Sequence, residues 1–261
     1  MTTWILLRGL TRGCGHWGDF PALLQRRLAD STVVALDLPG NGRLNRLSSP
    51  TRIEAMTQWY RDEVRRLDLA PPYRLLAMSM GAMIAIDWAR IAPHDIAGCV
   101  LINTSLRPFD PWYRRLRPAN YAALLRLAVS GNADFDHERT ILRLTSRNRA
   151  AAADVLGTWV QLRRSHPVST RNALRQLIAA ARFRASNDAP RVPLLVLAGL
   201  RDALVDVRCS LDLAQRWNAD IAVHPQAGHD LPLDDGPWVA ERVSRWLALS
   251  DSHRAGAGKH S

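Results

Sequence analysis

One short stretch limits the folds open to this chain: residues 73–89, YRLLAMSMGAMIAIDWA. Pro71 and Pro72 punctuate its start, and residues 75–78 form an apolar run of strand length. Ser79 follows, and then residues 80–86, whose Ala, Met and Ile content suits a buried helix. The serine stands alone at a strand-to-helix junction, with the small residues Ala77 and Gly81 two places to either side. A sharp turn can lift a hydroxyl clear of a sheet only if those second neighbours leave the backbone room to fold back. The helix that follows then aims its first N–H groups at whatever negative charge develops there.

The rest of the chain supplies a setting for that turn. Residues 3–7, 32–36, 99–103 and 193–198 are near-continuous apolar runs, and a further strand is expected near 220–224. Ile53, Met56, Tyr60, Val64 and Leu67 fall at helical spacing, which predicts an amphipathic helix over 52–68. Further helices are expected near 209–217 and, opening on Pro237, over 237–249. Apolar strands alternating with helices imply a mostly parallel, doubly wound α/β sheet covered on both faces. The alternation lapses between 106 and 191, where stretches such as 121–129 and 150–164 read as helices and no comparable strand occurs. The expected organisation is therefore a core of residues 1–105 and 192–249, an inserted helical unit at 106–191, and a disordered tail at 250–261.

Charge follows the same division. The chain has 34 arginines and one lysine, and residues 106–191 hold 16 arginines against 6 carboxylates, +10 of a total of +11. No aromatic–basic interleaving or nucleic-acid motif accompanies this charge, so no nucleic-acid partner is expected. Three scattered cysteines, Cys14, Cys99 and Cys209, suggest neither a disulfide framework nor a metal site, and no cofactor is implied. The first apolar run ends at Arg8-Gly9, too short for a signal peptide or a membrane span, and a cytoplasmic location is the expectation.

Three residues fall just past strand C-termini, the rim where parallel sheets bind ligands. They are Ser79, Asp202 in Gly199-Leu200-Arg201-Asp202, and His229 in Gly228-His229-Asp230. Asp206 competes with Asp202 and could instead cap the next helix; His224 competes with His229 but belongs to a strand. His16-Trp17 reads as a packing pair beside the first loop.

With its order of serine, acid and histidine, the chain resembles the α/β-hydrolase superfamily over all but the insertion and the tail. Ala77-Met78-Ser79-Met80-Gly81 looks like the nucleophile motif, Asp37-Leu38-Pro39-Gly40-Asn41-Gly42 like the D-x-P-G-x-G loop, and Gly228-His229 like the histidine loop. Ala77 replaces the first glycine of the motif, and Arg8-Gly9 stands where His-Gly is usual. The resemblance implies Ser79 as nucleophile, His229 as general base and acid, and Asp202 as the group that orients the histidine. It also implies an oxyanion hole from the N–H groups of Met80 and Leu10, with 106–191 as a cap over the site and Arg8 and Gly9 beside the substrate.

The reaction implied is hydrolysis of a carboxylic ester of a small or medium acyl substrate through an acyl-enzyme. A thioesterase acting on coenzyme A or acidic carrier-protein substrates is the first alternative, since such partners suit the basic insertion. A triad-based lyase, with Arg8 gripping a carboxylate, is a second. A non-catalytic binding protein on the same fold is the reading from another class.

Overall fold

The computed structural model describes residues 2–28, 30–129 and 134–257. Six parallel strands form one sheet: β1 (Thr2–Leu7), β2 (Ser31–Ala35), β3 (Tyr73–Met78), β4 (Ile96–Ile102), β5 (Leu194–Gly199) and β6 (Asp220–His224). Their order is β2-β1-β3-β4-β5-β6, with every neighbouring pair parallel. The chain winds outward from β1 to β2, then returns to β1's other edge as β3 and winds the opposite way. β1 and β3 therefore flank the point where strand order reverses, and their C-terminal loops open a crevice between them.

The unbroken apolar character of the strands has a direct cause. Alternate residues feed two separate cores, one on each face of the sheet. Ile5, Leu7, Leu75, Ala77, Cys99, Leu101 and Val196 pack on one side with α2 (Ile53–Arg66), α3 (Met80–Ile91) and α9 (Val207–Trp217). Trp4, Leu6, Leu76, Met78, Val100, Ile102 and Leu197 pack on the other with α1 (Phe20–Arg27) and α10 (Leu231–Ala257). Helix α3 is the most enclosed of these. Ten consecutive residues from Met80 to Ala89 are buried, as its nearly all-apolar sequence requires.

Between β4 and β5 the described residues hold only helices and turns: α4 (Trp112–Arg115), α5 (Tyr121–Val129), α6 (Asp134–Thr145), α7 (Arg149–Ser165) and α8 (Thr170–Arg182). The two ends of this segment meet at a parallel bridge between Arg107 and Arg184, and the Ala185 N–H donates to the Arg107 carbonyl at 2.7 Å.

The helical stretch Leu231–Ala257 is broken at Asp235, whose backbone leaves helical geometry and whose carboxylate accepts from the Trp238 N–H, so the longer segment begins after Asp235 with Pro237 in its first turn, as the sequence leads one to expect. The proline sits just past that bend, where it costs the first segment nothing. The helical backbone is described as far as Ala257. Residues 258–261 lie outside the described residues.

Candidate active site

Ser79 occupies the turn between β3 and α3 with φ 56° and ψ −118°, a conformation that costs a non-glycine residue on the order of 1–3 kcal/mol. The turn is locked from several sides. The Ser79 N–H donates to the Ile102 carbonyl at 2.8 Å, and the Ser79 carbonyl accepts from the Thr104 hydroxyl at 3.0 Å. Gly81 allows the tight return: a Cβ there would stand 2.4 Å from the Leu7 carbonyl oxygen. The serine itself remains partly exposed while Ala77, Met78, Met80 and Gly81 around it are buried.

Across the crevice, the β1 loop brings its backbone to the same point. A Cβ on Gly9 would lie 3.1 Å from Ser79 Cβ and 3.6 Å from Oγ, so a side chain there would crowd the hydroxyl. Met80 opens α3, and its N–H has no partner within the helix.

Asp202 and His229 meet at the same end of the sheet. His229 Nδ1 and Asp202 Oδ2 are 2.7 Å apart, both side chains almost wholly buried. The other Asp202 oxygen accepts from the Leu204 and Val205 N–H groups at 2.7 and 3.0 Å, which fixes the carboxylate. Burial works against a charged imidazole, but the Asp202 charge and its hydrogen bond, with Asp230 beyond, prevail and hold the His229 pKa above its ordinary value. With Nδ1–H committed to Asp202, Nε2 is the nitrogen left to accept a proton.

The competing residues are employed elsewhere. Asp206 accepts from the Arg208 N–H as the N-cap of α9, and the Arg208 guanidinium holds its pKa down to about 2. His224 Nδ1 accepts from the Ala227 N–H at 2.9 Å, and its Nε2 lies 3.2 Å from Asp235. His16 and Trp17 serve different neighbours: His16 packs edge-on to Trp159, and Trp17 stacks on Phe20. Burial first, and Arg12 next to it, keep the His16 imidazole well below its ordinary pKa.

Arg8, expected beside the substrate, is engaged by a carboxylate from the histidine loop. Its guanidinium is buried and forms two bonds to Asp230, at 3.1 and 2.7 Å. A partner 222 residues away is invisible to local patterning, which is why the arginine reads as free in the sequence.

The residues that assemble the rim were missed by sequence reasoning. Asn103 Nδ2 donates to the carbonyls of Gly228 and His229, and its Oδ1 accepts from the Gly199 N–H. The one available signal was its place, a polar residue at the end of an apolar strand. Asp234 accepts from the Gly228 N–H and from the backbone of Arg147 and Asn148. On the opposite side, Gln176 of α8 accepts from the Thr11 N–H and donates to Asn41 and Ser49, while Asn172 accepts from the Ser49 N–H. Arg12 Nη1 meets Glu138 of α6 at 2.7 Å over the Trp159 ring. Among the described residues no cluster of His, Cys, Asp and Glu could hold a metal ion. No helix there is long and apolar enough to cross a membrane.

Comparison with known proteins agrees with this architecture. The sequence profile of the alpha/beta hydrolase family matches residues 4–242. The pimeloyl-[acyl-carrier protein] methyl ester esterase of Aromatoleum aromaticum is 28% identical, over 86% of this chain and 90% of its own. An esterase from Thermogutta terrifontis superposes with a TM-score of 0.72 at 21% identity, covering 95% of this chain and 90% of that one. The enol-lactonase of Burkholderia xenovorans gives 0.77 at 17% identity, covering 95% and 91%.

Proposed function

The chain belongs to the alpha/beta hydrolase family, and from that premise we propose that it cleaves a carboxylic ester through an acyl-enzyme on Ser79. The observation that carries the reading is the 2.7 Å bond between His229 and Asp202, held at the sheet end where Ser79 projects. Nε2 of His229 takes the Ser79 proton as Oγ attacks the ester carbonyl, and the resulting imidazolium is stabilised by Asp202. The N–H groups of Met80 and Leu10 receive the oxyanion. The imidazolium then protonates the departing alcohol, and water enters by the same route in reverse to release the acid. Helices α4–α8 act as the cap over the site.

A second reading is favoured by charge. The cap segment carries nearly all of the chain's excess positive charge, and one relative is named for an ester presented on an acyl-carrier protein. A substrate borne by an acidic carrier, as ester or thioester, suits that surface. The lyase alternative loses its support, since it rested on Arg8 as a carboxylate grip and that guanidinium is paired with Asp230.

The test is a panel of chromogenic esters of graded chain length beside acyl thioesters, with Ser79→Ala as the blank and a fluorophosphonate probe as the label. Hydrolysis and labelling are expected in the wild type, with both lost in the variant. Equal labelling of the two proteins would remove the nucleophile.

A further inference from the structure

The loop after β1 and the loop before α10 are joined by one buried ion pair. Arg8 Nη1 and Nη2 donate to Asp230 Oδ1 and Oδ2 at 3.1 and 2.7 Å, with both side chains 3% exposed. The guanidinium lies 4.7 Å from the centre of the Trp17 ring, and Nη1 also faces the sulfur of Met78, the residue before Ser79. The Asp230 N–H donates to the Thr145 carbonyl, so its backbone is held as well.

The sequence positions of the pair give it meaning. Arg8 immediately precedes Gly9 and Leu10, the backbone that lies against Ser79. Asp230 immediately follows His229. A fork-to-fork bond between their neighbours therefore fixes the oxyanion donor relative to the base. Two charges removed from water are a poor choice for stability alone, because apolar side chains of similar volume would serve as well or better. What the bidentate pair adds is a defined distance and angle.

We infer that Arg8 and Asp230 are positioning residues that clasp the oxyanion-donor loop to the histidine loop and balance the charge facing His229. This rests on the hydrolase reading above. The charged groups facing the imidazole are Asp202 from the β5 loop, Asp230 from its own loop and Arg8 from the β1 loop. Arg12 stands behind Arg8, paired with Glu138 of α6 and touching His16. Asp230 favours the imidazolium and Arg8 opposes it, so the two members of the pair act on the ring in opposite senses.

That balance makes the two single variants move in opposite directions. Arg8→Gln leaves the Asp230 carboxylate unopposed and raises the pH at which activity falls on acidification. Asp230→Asn leaves the guanidinium unopposed and lowers it. In the double variant Arg8→Gln/Asp230→Asn the limb returns to the wild-type position. Its kcat stays down by on the order of 10²-fold with KM little changed, because the clasp is gone. Arg8→Lys, which keeps the charge but loses the fork, leaves the limb in place and recovers only part of kcat.

The experiment is the pH profile of kcat and kcat/KM for these four variants on one chromogenic ester, with Ser79→Ala alongside. Limbs displaced in opposite senses, with kcat reduced in the double variant, support the clasp. Limbs displaced in the same sense, or wild-type kcat in the double variant, overturn it. If neither single variant folds, the double variant decides, since it leaves no buried charge unpaired. Activity surviving in Ser79→Ala would overturn the hydrolase reading itself. A dead Ser79→Ala with an undiminished double variant overturns the clasp alone.

Discussion

Asn103 holds His229 by its backbone: the Asn103 amide donates to the His229 carbonyl at 2.8 Å while its oxygen accepts from the Gly199 N–H at 2.9 Å. One side chain at the end of β4 thus ties the strand that leads to Asp202 to the loop that carries the imidazole. Asn103 sits at φ 47°, a conformation that asparagine tolerates better than most residues. Replacing it with Ala is expected to cost roughly 2–4 kcal/mol, because two carbonyls and an N–H lose their buried partner. Asn103→Asp is expected to be worse, since a carboxylate would face two carbonyl oxygens. Urea unfolding of the three proteins at one pH checks both statements.

Asp202→Asn is expected to lower kcat by on the order of 10³–10⁴-fold while leaving the fold intact. An amide at that position can offer its NH₂ to Nδ1 and so select the wrong tautomer. The residual activity should survive to lower pH than in the wild type, because the charge that raises the imidazole pKa is gone. A variant with the wild-type acid limb would contradict the assignment.

His229 gives stability and activity opposite slopes over one pH window. Its folded pKa lies above the ordinary 6.5, so the protonated form is the one favoured by folding. The stability it contributes is fully present below about 6.5 and is lost as pH rises through the folded value. On the proposed mechanism activity needs the neutral ring and is expected to rise across the same interval. Unfolding free energy and kcat/KM measured in parallel from pH 5 to 9 should cross in this way, and His229→Gln should flatten the stability component.

Gly81→Ala tests the turn. The added methyl would stand 2.4 Å from the Leu7 carbonyl oxygen and 2.7 Å from that of Arg8, both backbone atoms that cannot swing aside. A loss of about 3 kcal/mol or more is expected, seen as a lowered Tm. Gly157→Ala makes the control, since a Cβ there meets nothing within 4 Å and adds helix propensity.

If the arginine-rich segment 106–191 recognises charge, rising salt is expected to slow hydrolysis of anionic or carrier-borne substrates more than that of neutral esters, through screening. Equal responses in the two classes would leave the arginines without a part in recognition.

The fold and the rim were legible for different reasons. Strands such as 75–78 and 99–102 announce themselves because both faces of the sheet are covered, so every residue is apolar. Ser79, Asp202 and His229 could be picked out because each follows such a run or lies in a loop of turn-forming residues. Arg8, Asn103 and Asp234 could not, because each ties its loop to a partner more than 85 residues distant. The start of the last long helical segment was legible for a local reason: Pro237 stands in its first turn, just after Asp235 leaves helical geometry.

Helix α8 leaves its mark on how this protein could be re-engineered. Gln176 and Asn172 grip the loops after β1 and β2, so the helical segment between β4 and β5 is stitched to those loops by its own side chains. Transplanting a foreign helical segment between residues 106 and 191 would therefore strip the Thr11, Asn41 and Ser49 loops of their anchors. A chimera that keeps residues 170–182 native and exchanges only what precedes them is the graft most compatible with an undisturbed site.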